Sequence, residues 1–167
     1  MLFQFADYVL DIDVERTRAF YERPDVPTIS AQCDCDYCQN YDKAIGKASA
    51  SVRDLLHSLG INPRKPAEVY SVTGELEEQG TVWYNGWYHV CGTIVDSPET
   101  VQVTKGIDGS SSAVYRWELA YVPDPAFPFA ILPTQDSFMM HEDFPKPVIQ
   151  VEIDTHLPYV LSSSSGD

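Results

Sequence analysis

Residues 83–92 read WYNGWYHVCG, and the architecture of the chain turns on how that stretch is taken. Asn85-Gly86 between two aromatic pairs is a strong hairpin signal, because a two-residue turn needs left-handed backbone that Asn and Gly tolerate. That reading gives strands over 80–85 and 86–96. The alternative places the turn at Glu77-Glu78-Gln79-Gly80 and lets one long strand follow. In either case the aromatics Trp83, Tyr84, Trp87 and Tyr88 favour β structure. Trp83, Trp87 and Tyr88 could form a stacking platform for a sugar, a base or a peptide, although the energetics of cross-strand aromatic pairs favour packing.

The flanking sequence extends the sheet. Further strands are predicted over 68–75, 99–105 and 113–122, the last two joined by the turn GIDGSSS, and over 148–154 with Ile149, Val151 and Ile153 inward. In 113–122, Tyr115, Trp117, Leu119 and Tyr121 share one face. Residues 2–12 read as one strand, with Tyr8, Leu10 and Ile12 on one side, followed by a short helix over 14–22 capped by Asp13. Between 122 and 147 six prolines exclude a long helix and predict an ordered loop with short extended pieces.

Cys38, Tyr41, Ile45, Ala48, Val52, Leu55, Leu56 and Leu59 recur every three or four positions, predicting one main amphipathic helix over about 37–59. Asp36 and Gln39 have the spacing of a capping box, and Gly60 is placed to end the helix in a left-handed cap. Gly46 costs about 1 kcal/mol there and marks where a break would fall. The order strand, helix, then many strands predicts an α+β domain over residues 1–161. In it the helix packs on a mostly antiparallel twisted sheet or flattened sandwich. The tail 162–167, SSSSGD, reads as flexible and polar.

The 167 residues carry 25 acids against 11 bases, a net charge of −14. Phosphate backbones and anionic lipid surfaces repel such a chain, so neither nucleic acid nor membrane is an expected partner. A protein partner or a small ligand remains. The acids are spread along the sequence, which weakens the reading as an acidic mobile-element inhibitor of a nucleic-acid-binding protein. The N-terminus MLFQFADYVLDID has no basic segment and no small-residue cleavage site, which predicts a cytoplasmic protein with reduced cysteines.

Three of the four cysteines lie in CDCDYCQNY, residues 33–41. Zinc takes four ligands in a tetrahedron, commonly thiolate and imidazole. Cys33 and Cys35, two apart in extended chain, point the same way, and the entry into a helix brings Cys38 round. His89 is the expected fourth ligand, with Cys91 as the alternative. Zinc with three thiolates carries one net negative charge and with four carries two, which Asp34 and Asp36 would aggravate. Competing readings are buried thiols, a redox pair at Cys35 and Cys38, and a Cys38 nucleophile with His89 as base. Glu75, Glu77, Glu78 and Glu118 could include a catalytic carboxylate pair, whereas His141 and His156 stand alone. No phosphate loop, HExxH or EF-hand pattern occurs. The balance favours a non-enzymatic binding module stabilised by a structural zinc.

The runs CDCDYCQNY, GINPRKPAEVY and YNGWYHVCG resemble those of small uncharacterised proteins of Firmicutes-type bacteria and their mobile elements. The shared pattern spans roughly residues 30–95. It implies a bacterial or phage setting and assigns no catalytic residue.

Overall fold

The computed structural model describes residues 1–5, 7–77, 80–97, 101–105, 111–115, 120–122, 129–134 and 137–161. In chain order the elements are β1 (Leu2–Phe5), β2 (Tyr8–Ile12), α1 (Val14–Tyr21), α2 (Ile29–Gln32), α3 (Asp36–Ile45) and α4 (Ala50–Ser58). Then follow β3 (Glu68–Ser71), β4 (Thr81–Asp96), β5 (Val101–Lys105), β6 (Ser111–Tyr115), β7 (Ala120–Val122), β8 (Phe129–Thr134) and β9 (Val148–Pro158). The expected α+β class holds. Seven strands form one antiparallel sheet in the order β1-β2-β4-β9-β8-β7, with β3 also on β4, while β5 and β6 form a separate ribbon. The expected side-chain face at 115–121 and the tail 162–167 lie outside the described residues.

Asn85-Gly86 is not a turn. β4 runs through it in continuous register with β9, from Thr81 opposite Pro158 to Cys91 opposite Val148. Gly86 is needed for a close approach, since a Cβ there would press into the Glu68 carbonyl and Val69 of the neighbouring strand. The turn lies earlier, where the Gly80 amide donates to the Glu77 carbonyl at 2.8 Å, in line with the alternative of one long strand. The single N-terminal strand is likewise two, β1 and β2, paired as a hairpin.

Alternation along β4 divides the molecule. Val82, Tyr84, Tyr88 and Val90 are fully buried on the inner face, against the helices. Trp83, Asn85 and Trp87 are half-buried on the other face. Ile149, Val151 and Ile153 of β9 are buried as expected.

The expected single helix is two. α3 ends at Ile45 and α4 begins at Ala50, with the Ser49 hydroxyl accepting from the Val52 amide at 3.3 Å. Serine capped by its own side chain begins a new helix better than it continues an old one. Both helices keep their apolar stripe on one core, so Cys38, Tyr41, Ile45, Ala48, Val52, Leu56 and Leu59 are all buried. Gly60 closes α4 at φ +79, with the Ile61 amide reaching the Leu56 carbonyl and the Gly60 amide the His57 carbonyl. A Cβ on Gly60 would come within 2.7 Å of the Val14 carbonyl oxygen.

The edge of β4 away from β9 is covered by β3 at Tyr84–Trp87 and by β2 at Gly92–Asp96. Between them, no described strand reaches the backbone of His89 and Cys91 on this edge, and α1 supplies the partners. The Tyr21 hydroxyl accepts from the His89 amide at 3.1 Å and donates to its carbonyl at 2.9 Å. The Thr17 hydroxyl accepts from the Cys91 amide at 2.9 Å, and the Asp13 amide donates to the Cys91 carbonyl at 2.8 Å. Asp13 also caps α1 through the Arg16 amide at 3.1 Å, as expected. Burial pushes the Tyr21 phenol well above its ordinary range, so it keeps its proton. No helix of the described residues is long and apolar enough to cross a membrane.

Tyr21→Phe removes the group that satisfies two buried backbone positions. It should lower stability by about 2 kcal/mol with an unchanged denaturant slope in urea unfolding. A loss below about 0.5 kcal/mol would show that the edge is satisfied another way.

Candidate metal centre

α2 ends at Cys33, which is extended (φ −138, ψ 129), and Cys35 is extended too (φ −67, ψ 151) before α3 begins. This short extended run turns Cys33 and Cys35 to one side, and their sulfurs lie 3.3 Å apart. The first turn of α3 brings up Cys38. All three Sγ atoms fall within 4.8 Å of one another. Sulfurs bound to one tetrahedral zinc are roughly 3.8 Å apart, as follows from a Zn–S bond of about 2.3 Å. The spacing therefore needs only small side-chain adjustments to close on an ion.

The helix cap is not Asp36 with Gln39. Cys35 is the capping residue, its sulfur accepting from the Cys38 amide at 3.5 Å, and Asp36 sits in the first turn. Gln39 instead reaches back, its amide donating to the carbonyls of Ser30 and Cys33, each at 2.9 Å. It thereby fixes the segment that carries Cys33.

Burial grades the thiols. Cys35 is exposed, Cys33 half-buried and Cys38 buried. The Cys33 thiol is pulled below its ordinary range, chiefly by its hydrogen bond with Cys38, then by the Cys35 amide and thiol, against the nearby Asp34 charge. Cys38 is pushed up by burial and by the two other sulfurs. The neighbouring thiols and the Cys35 amide thus favour a thiolate at Cys33 over one at the buried Cys38.

Asn40 seats this corner on the sheet. Wholly buried, it donates to the Tyr84 hydroxyl at 3.0 Å and to the Pro158 carbonyl at 3.1 Å, and accepts from the Val160 amide at 2.6 Å. The Tyr84 hydroxyl donates to the Tyr37 carbonyl at 3.0 Å. Two residues further, the buried Asp42 carboxylate takes a forked pair from Arg64, at 2.5 and 2.8 Å, and a hydroxyl from Ser30. Burial pushes Asp42 up, but Arg64 and Ser30 prevail and hold it below its ordinary range. Neither Asn40 nor Asp42 stands out in the sequence, because a polar residue beside a helical stripe looks the same whether solvated or buried.

The structure does not bring His89 or Cys91 to the three sulfurs. Both project from the β4 face opposite Tyr84. Along the strand His89 lies about 16 Å beyond Tyr84, the residue next to the cysteine helix. His89 is buried against Phe144, with ring centroids 5.7 Å apart, and its Nε2 makes no hydrogen bond. Cys91 is buried behind Thr17. The Cys38–His89 nucleophile pair is not assembled for the same reason. Of the platform residues, Trp83 and Trp87 share the outer face, whereas Tyr88 faces inward with its hydroxyl bonded to Tyr41 and to the Pro63 carbonyl. Trp83 stacks on His156 at 5.6 Å and 9°, and His156 bonds Glu77 at 2.7 Å. Glu78 and Glu118 lie outside the described residues. Compared with protein-family models, curated proteins and solved structures, the chain matches none.

Burial drives the His89 imidazole down from 6.5 to about 4, opposed by Gln150 and the Phe138 carbonyl. In the unfolded chain the ring binds a proton below about 6.5, while the folded state resists it until about 4, so stability falls as pH drops through this window. Between pH 7 and pH 5 His89 should cost roughly 2 kcal/mol, measured by urea unfolding at each pH. His89→Gln, which does not titrate, should flatten that slope. An undiminished slope in the variant would assign the dependence to other groups.

Proposed function

We propose that the chain is a non-enzymatic intracellular binding module whose Cys33–Cys35–Cys38 corner holds a structural zinc. The observation that carries this reading is the convergence of three sulfurs within 4.8 Å at a helix start. Thiolates select soft or borderline ions, and zinc with three of them keeps only one net negative charge. The ion would tie the end of α2 to the start of α3, a junction otherwise fixed by Gln39 and by the bond of Ser30 to Asp42. The outer sheet face with Trp83 and Trp87 supports binding of a small ligand or a protein partner. The net charge of −14 speaks against direct binding of nucleic acid. A second reading, a thiol redox pair, is favoured by the 3.3 Å contact of Cys33 with Cys35.

Elemental analysis and free-thiol counting on one sample separate the two. Protein purified without added metal should carry about one zinc per chain, the stoichiometry of a single site, with Cys33 and Cys35 protected from alkylation until the metal is chelated. Cys33→Ser and Cys35→Ser should each lose the zinc, and Cys91→Ser should keep it. A metal-free protein with an intact fold and with Cys33 and Cys35 freely alkylated would eliminate the metal, and a disulfide would favour the redox pair.

A further inference from the structure

We propose that the fourth coordination position of this centre is open and takes a neutral imidazole from outside the chain, such as a histidine on a partner protein. The inference rests on the metal reading and adds to it what completes the site.

A closed structural zinc site needs four protein ligands, usually cysteine or histidine. Every cysteine and histidine of this chain lies among the described residues, so the soft donors can all be placed. Only three of the eight join the group. His57 is exposed in the last turn of α4. His89 and Cys91 lie on the far face of β4. The His141 ring packs on Phe20 at 5.4 Å, and His156 is held between Trp83 and Glu77. Nor does an aspartate or glutamate of the described residues join the three sulfurs.

The sulfurs are also presented outward. Cys38 is buried beneath, Cys33 is half-buried and Cys35 is exposed, so an ion seated on them would meet solvent on its remaining side.

Charge then selects the donor. Three thiolates and a dication leave one net negative charge, with Asp34 and Asp36 exposed beside it and −14 on the whole chain. A carboxylate or a further thiolate would add charge to this corner. A neutral imidazole adds none and is a good ligand for a borderline ion.

Cobalt(II) loaded into the full-length protein reports the donor set through its visible absorption bands. Imidazole itself should shift these bands saturably. It should bind at least about tenfold more tightly than acetate, the order of penalty one added charge meets at such distances near a protein surface. His89→Gln and Cys91→Ser should give the same starting spectrum and the same shift. Bands that imidazole leaves unmoved would mean a closed site and overturn the proposal. A changed starting spectrum in either variant would overturn it too, since the chain would then be filling the position itself. Mercaptoethanol binding more tightly than imidazole at pH 7 would overturn the choice of donor. Failure to take up cobalt at all would instead remove the metal reading on which the inference rests.

Discussion

From Thr81 to Cys91 strand β4 keeps the two-residue alternation of extended chain in continuous register with β9, and the rest of the molecule is arranged around that constraint. Its even-numbered side chains Val82, Tyr84, Tyr88 and Val90 are buried in the core, where Tyr84 and Tyr88 meet Asn40 and Tyr41 of α3. Its odd-numbered ones form an outer face with Trp83 and Trp87, and then the buried His89 and Cys91. The strand needs neighbours on both edges. Where neither β3 nor β2 reaches, side chains of α1 substitute for a strand, with Tyr21 and Thr17 offering hydroxyls that both accept and donate. Buried amides and carbonyls left unpaired would cost about twice what a hydrogen bond contributes net, so this substitution is a condition for the long strand.

The cysteine corner follows from the same strand. Tyr84 fixes Asn40, Asn40 fixes the start of α3 against the end of β9, and Gln39 holds the preceding segment. The sulfurs are therefore positioned by these polar contacts as well as by the hydrogen bonds within the cluster. A site built on a helix start and backed by the sheet is already organised before an ion arrives, so binding need not order much chain.

Local signals were legible where a residue acts on its own neighbours. Asp13 as a cap, Gly60 as a left-handed stop and the inward residues of β9 could all be read from the sequence. The signals that misled were local ones with a distant cause. Asn85-Gly86 has the composition of a turn, yet Gly86 serves the backbone of β3, which lies fifteen or more residues away in sequence. The apolar stripe runs unbroken from Cys38 to Leu59 because α3 and α4 face one core, so it does not report the break between Ile45 and Ala50. Cys35 as a cap was hidden behind Asp36, a commoner capping residue. Within the candidate centre, the spacing of Cys33, Cys35 and Cys38 was sufficient, since all three belong to one short segment. The shared face of His89 and Cys91 was also readable. Which face of the sheet carries the cysteine helix was not, because it depends on how Tyr84 and Tyr88 meet α3.

X-ray absorption at the zinc edge of the protein as purified tests the central claim, a three-sulfur centre with an open position. An open three-sulfur centre gives three sulfur neighbours at about 2.3 Å and one lighter nitrogen or oxygen neighbour at about 2.0–2.1 Å. Four sulfur neighbours, or a shell of oxygens alone, would contradict it.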